Sequence, residues 1–115
     1  MHNAPYVLSR LAGLKAEDAF IDWGAMSGWG LGYNVYKKEW SKEQLDILGI
    51  DISYMPKIVK PWDIIGGLTE ENAAFTGLPA GTPICGGAGD TMQSMIGCGL
   101  TEVNQAADVA GTCAM

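Results

Sequence analysis

The sequence predicts an α/β fold, and three observations carry that expectation. Segments with helical spacing of apolar residues alternate with short runs that suit strands. Capping residues, glycines and prolines fall between them as boundaries. Hydrophobic residues make up 48% of the chain against 17% charged, the balance of a packed globular piece rather than a disordered one. With 115 residues the chain is long enough for one domain.

From Pro5 to Ala12, Tyr6, Val7, Leu8 and Leu11 recur near helical spacing, with Pro5 suited to a first turn and Gly13 to a carboxyl-terminal cap. The stretch from Phe20 to Tyr36 mixes aromatics with four glycines and sustains neither period. It reads as strand and loop around a close backbone approach. Ser41-Lys42-Glu43-Gln44 is a capping box, followed by Leu45 and Leu48 on one side and by Gly49 as terminator, which predicts a short helix. Asp51 to Pro61, with two prolines, reads as a connection, and Trp62 to Leu68 as a strand. Thr69 is placed to cap a helix over Glu70–Thr76, whose Glu70 and Glu71 suit its positive end, and Gly77 to end it. A strand at Ile84 follows, then a helix from Thr91 to about Gly97 with Met92, Met95 and Ile96 inward, and a last strand from Ala106 to Ala110. There is no internal repeat, low-complexity tract or clear linker.

Charge excludes one class of partner. Seven Lys and Arg scattered among 13 acids give a formal net charge of −6 and no basic stripe, so a nucleic acid is not an expected partner. Arg10, Lys15, Glu17 and Asp18 break up the first twenty residues, and no apolar run approaches a membrane span. The expectation is a cytoplasmic protein without a membrane partner. Cys85, Cys98 and Cys113 are odd in number and widely spaced among small apolar residues, which fits buried reduced thiols. With His2 as the only histidine and no Cys-x-x-Cys, no zinc site is expected.

The richest stretch is Pro83-Ile84-Cys85-Gly86-Gly87-Ala88-Gly89-Asp90-Thr91-Met92-Gln93. It reads as strand, tight turn and helix start, with glycines that let a ligand reach the backbone and Asp90 presented at the junction. An Asp before Thr-Met-Gln-Ser-Met is also a good N-cap, so the residues alone leave Asp90 as cap or base. Trp23, Trp29, Tyr33, Tyr36 and Trp40 offer either a sugar-stacking platform or, more in keeping with their number, core packing and loop anchoring. The Gly28-x-Gly-x-Gly run lacks the spacing and flanking elements of a dinucleotide fingerprint.

Gly87-Ala88-Gly89-Asp90, a helix, and then Asp108-Val109-Ala110-Gly111-Thr112 resemble the FGGY carbohydrate kinases. The resemblance continues, in order, through Tyr6 to Gly13, Asp22 with Ser27, Trp40-Ser41, Leu48-Gly49-Ile50 and Thr76 to Pro83. Gly28-Trp29-Gly30-Leu31-Gly32-Tyr33 departs from the family pattern and is one residue longer, and Val103-Asn104 stands where a Pro-Gly turn is common.

The resemblance implies part of the actin-like ATPase (ribonuclease H-like) fold of sugar kinases. Residues 1–105 would be the later part of the amino-terminal lobe and residues 106–115 the first, incomplete strand of the carboxyl-terminal lobe. It implies ATP with Mg2+ and a small sugar or polyol. It makes Asp90 the general base and a substrate ligand, Thr91 a second substrate contact, and Gly111 and Thr112 the start of a nucleotide-contacting hairpin. It also implies that this piece is inactive alone and pairs with a complementary fragment or a second copy. The alternative is a non-catalytic sugar-binding or interaction module derived from a kinase lobe.

Overall fold

In the computed structural model, residues 2–108 are described, and they build three small two-stranded sheets with helices between them. Helix α1 (Asn3–Ala12) ends where Gly13 turns left-handed at φ 66° and returns its N–H to the carbonyls of Arg10 and Ser9. Strand β1 (Phe20–Asp22) follows and runs straight into α2 (Trp23–Met26). Strands β2 (Tyr33–Asn34) and β3 (Glu39–Trp40) pair antiparallel as a hairpin, and α3 (Lys42–Ile47) leads on to β4 (Lys57–Val59). Strand β4 lies parallel to β1, with Phe20 opposite Lys57 and Asp22 opposite Val59, so the hairpin and α3 form the crossover that parallel pairing requires. Strands β5 (Ile64–Gly67) and β6 (Pro83–Cys85) pair antiparallel across α4 (Glu70–Thr76), and β6 feeds α5 (Asp90–Gly97).

The core sits where β1, α2 and the hairpin meet. Ile21, Met26 and Tyr33 are buried together, with Ala25, Trp40 and Ile58 packed against them. Trp40 meets Tyr33 edge to face at 6.1 Å, and its indole N–H donates to the Pro56 carbonyl at 2.7 Å. That bond satisfies the one polar atom of a large apolar side chain and ties the hairpin to the start of β4. Asn72 acts similarly on the other side: its Nδ2 donates to the carbonyls of Arg10 and Leu11 at 3.1 and 3.2 Å, joining α4 to the open end of α1. Asn72→Ala leaves those carbonyls without this donor and is expected to cost about 1–3 kcal/mol, read as a lower midpoint in chemical denaturation.

Most predicted elements are present at the predicted places, α4 with Thr69 as its cap among them. Several differ. Lys57-Ile58-Val59 is a strand, not part of a connection; at three residues between Pro56 and Pro61 it is too short to show a period of two. A turn of helix, α2, interrupts the stretch read as strand and loop, because the Asp22 carboxylate accepts from the Ala25 N–H at 2.9 Å and caps it. The capping box at Ser41 forms only half: Ser41 Oγ accepts from Gln44 N–H, but the Gln44 side chain accepts from Gly32 N–H at 2.8 Å and pins the glycine-rich loop instead.

Ile96 faces outward at 61% exposed, while Met92 and Met95 are half-buried. Cys85 and Cys98 are free but exposed, against the expectation of buried thiols, since β6 is an edge strand and Cys98 lies past the end of α5. Residues 106–108 form no strand, and the rest of the predicted last strand lies outside the described residues.

Candidate active site

Asp90 is the first residue of α5, and the cap position belongs to Gly89, which makes no side-chain bond. Asp90 thus lies one residue past the cap position, while its carboxylate still satisfies a first-turn N–H. Its carboxylate turns back on its own helix: Oδ1 accepts from the Thr91 N–H at 2.7 Å, with Thr91 Oγ1 at 3.5 Å. No hydrogen bond reaches Oδ2 among the described residues, and the residue is exposed. One oxygen is held and the other faces out, at the positive end of an eight-residue helix.

The turn that delivers Asp90 is clamped from three sides. The Gly86 N–H donates to the Asp63 carbonyl and the Gly87 N–H to the Pro61 carbonyl, both at 2.9 Å. A Cβ on Gly86 would lie 2.9 Å from the Lys60 carbonyl oxygen and from Val59 Cγ2, and Gly87 has φ 78°. On the next side, a Cβ on Gly24 of α2 would lie 3.1 Å from Ala88 Cβ and 3.2 Å from the Gly89 nitrogen. Leu8 of α1 closes the third side, 3.6 Å from the Cβ position of Gly87.

Gly86 and Gly24 thus admit neighbouring protein backbone rather than a ligand, and the close approach expected in the Phe20–Tyr36 stretch occurs at Gly24. Gly86→Ala is expected to push the Lys60–Asp63 turn away from the Asp90 turn and to cost about 1–3 kcal/mol in thermal or chemical unfolding.

A cavity of about 290 Å³ opens beside Asp90, lined among others by Asn3, Pro5, Asp22, Ala25 and Gly89. Asp22 is 2% exposed and Asp90 open, so two carboxylates share one depression in different roles: the first caps α2, the second is available. Asp22 carried only the family resemblance in the sequence. Its place in the cavity follows from β1 ending beside the Gly24 approach, which no local pattern announces. A larger cavity of about 450 Å³ lies elsewhere, between Leu14, Phe20, Lys57 and Val59, and includes neither Asp90 nor Thr91. Thr91 is beside Asp90 and half-buried, whereas Gly111 and Thr112 lie outside the described residues.

Among the described residues, no cluster of three or more His, Cys, Asp or Glu side chains could hold a metal ion. No helix among them is long and apolar enough to cross a membrane.

A turn-borne carboxylate beside a cavity at a helix start is an arrangement that the class of small-molecule enzyme sites uses among others. The comparisons with known proteins make the class specific. The family model described as "FGGY family of carbohydrate kinases, N-terminal domain" matches residues 3–97, and the chain belongs to that family.

The autoinducer-2 kinase of Klebsiella pneumoniae is 29% identical over 79 residues, covering 69% of this chain and 15% of that protein. The L-xylulose/3-keto-L-gulonate kinase of Escherichia coli is 35% identical over 85 residues, 72% of this chain and 17% of its own length. The crystal structure of gluconate kinase from Lactobacillus acidophilus superposes with a TM-score of 0.72 at 30% identity, over 86% of this chain and 19% of that one. The fold is accordingly part of the actin-like ATPase fold of these sugar kinases. The chain spans about 15% of the length of the first curated relatives it matches.

Proposed function

We propose that this chain is the part of an ATP-dependent carbohydrate kinase that presents the general base, and that Asp90 is that base. The observation that carries the proposal is the state of the Asp90 carboxylate. One oxygen is fixed by the Thr91 N–H, the other is unbonded among the described residues, and both sit on a turn that three neighbouring elements hold in place. Phosphoryl transfer asks little covalent chemistry of the protein and much positioning. In the proposed step a sugar or polyol hydroxyl lies in the cavity, its oxygen attacks the γ-phosphorus of ATP, and its proton passes to Asp90 as the bond to the leaving ADP oxygen breaks.

Thr91 is the adjacent substrate contact in this reading, and Gly111 and Thr112 belong to the nucleotide side. Residues 1–105 are assigned to the amino-terminal lobe and 106–115 to the start of the next. Magnesium, where it acts, draws most of its ligands from outside this chain. The family membership and the kinase names of the relatives support a sugar substrate, and a cytoplasmic setting is part of the same reading.

The experiment is a coupled assay of ATP consumption over pentoses, hexoses, polyols and their acids, with the phosphorylated product identified. It is run on the protein whose lobes include this chain. Turnover that depends on one sugar class supports the reading, and sugar binding without any turnover supports the interaction module instead.

A further inference from the structure

We infer that Trp23, Trp62, Lys38 and Lys60 form a binding site for a sugar that carries an anionic group, a carboxylate or a phosphate. Trp23 opens α2, and the Trp62 ring meets it edge to face with centroids 5.7 Å apart and planes at 82°. Trp62 remains 65% exposed, so the pair is an open apolar corner. Two ammonium groups converge on it: Lys38 Nζ lies 4.2 Å from the Trp23 ring centroid and Lys60 Nζ 5.7 Å.

Neither lysine has a carboxylate partner among the described residues, where the ion pairs are Lys37 with Glu39 and Lys42 with Asp46. Glu39, next to Lys38, pairs with Lys37, and Asp63, the acid nearest Lys60 along the chain, accepts from the Lys60 backbone N–H at 2.9 Å rather than from its ammonium. Both ammonium groups lie near one indole without a carboxylate, in a chain whose net charge of −6 offers many acids. An anionic group on a sugar at this corner would supply the missing partner. Lys38 adds a second sign, because it sits at φ 58° in the hairpin turn, a backbone that favours glycine or asparagine. Exposed indole supplies the face on which the C–H side of a sugar packs.

The corner is linked through the chain to the turn that carries the candidate base. Trp23 follows Asp22, which lines the Asp90 cavity, and the turn from Lys60 to Asp63 accepts the Gly86 and Gly87 N–H groups. The inference rests on the sugar-kinase reading for the sugar and on the lysines for the anion.

The test is an NMR titration of the protein whose lobes include this chain, following the assigned indole N–H signals of Trp23, Trp29, Trp40 and Trp62 with D-glucuronate, glucose 6-phosphate and uncharged glucose. Trp23 and Trp62 are expected to shift with an anionic sugar while Trp29 and Trp40 stay still. Glucose should bind at least about tenfold more weakly, and Lys38→Gly and Lys60→Met should each weaken binding of the anionic sugar by about tenfold. A response to glucuronate alone assigns a carboxylate, and a response to the phosphate ester alone assigns a phosphate. Lys38→Gly relieves its backbone, so a loss there is not a loss of fold.

No shift at Trp23 and Trp62 with either anion, an equal response to glucose, or an affinity unchanged by either variant overturns the inference. Such a failure leaves the assignment of Asp90 standing, because that assignment is read from turnover and not from these signals.

Discussion

Asp90→Asn is expected to lower sugar-dependent turnover by about 10²–10⁴ while substrate binding and thermal stability hold. Asn keeps an oxygen that can accept from the Thr91 N–H, and Gly89, not Asp90, occupies the cap position, so the start of α5 does not depend on the charge. What the variant loses is the ability to take a proton. The measurement is kcat and KM side by side with a melting curve. A fall in kcat at constant Tm is the signature of a base. Wild-type turnover in the variant removes Asp90 from the chemistry, and a fall in Tm of the same variant would return it to a structural role.

Met26→Ala is expected to be the most damaging single truncation in the core. Met26 is fully buried, at 0% exposed, and joins Ile21 of β1 to Tyr33 of the hairpin. Removing three heavy atoms there opens a void between the β1–β4 pair and the hairpin, at a cost of about 2–5 kcal/mol. In a domain of this size that is a fall in Tm of roughly 8 °C or more. The effect also reaches the site, because α2 carries Gly24 against the Ala88-Gly89 backbone. A loosened α2 therefore loosens the Asp90 turn. An unchanged midpoint would show that the core lies elsewhere.

Local chemistry was readable wherever the backbone itself demanded a residue type. Thr69, Ser41, Gly13 and Gly77 mark their helix ends because orphan N–H and C=O groups need those side chains or that φ, and the structure puts the caps there. What stayed hidden was pairing at a distance. Lys57-Ile58-Val59 becomes a strand only because β1 lies beside it, 37 residues earlier at Phe20↔Lys57.

Gly86 looked like an opening for a ligand, and only the approach of the Lys60 carbonyl shows that protein fills that space. The Asp90 motif was legible as a strand, turn and helix, yet its partnership in one cavity with Asp22 depends on the Gly24 contact. Trp23 was legible as one aromatic among several, but its meeting with Trp62 and two lysines was not, since the members come from two separate turns and a helix start.

The central claim is that Asp90 receives the proton of the hydroxyl that is phosphorylated, and a structure of the active protein with its sugar bound tests it most directly. The account predicts one sugar hydroxyl oxygen about 2.6–3.2 Å from an Asp90 carboxylate oxygen, in the cavity shared with Asp22, and that same hydroxyl as the one phosphorylated in the product. A sugar bound with its reacting hydroxyl out of reach of Asp90, or held by another carboxylate, would contradict it.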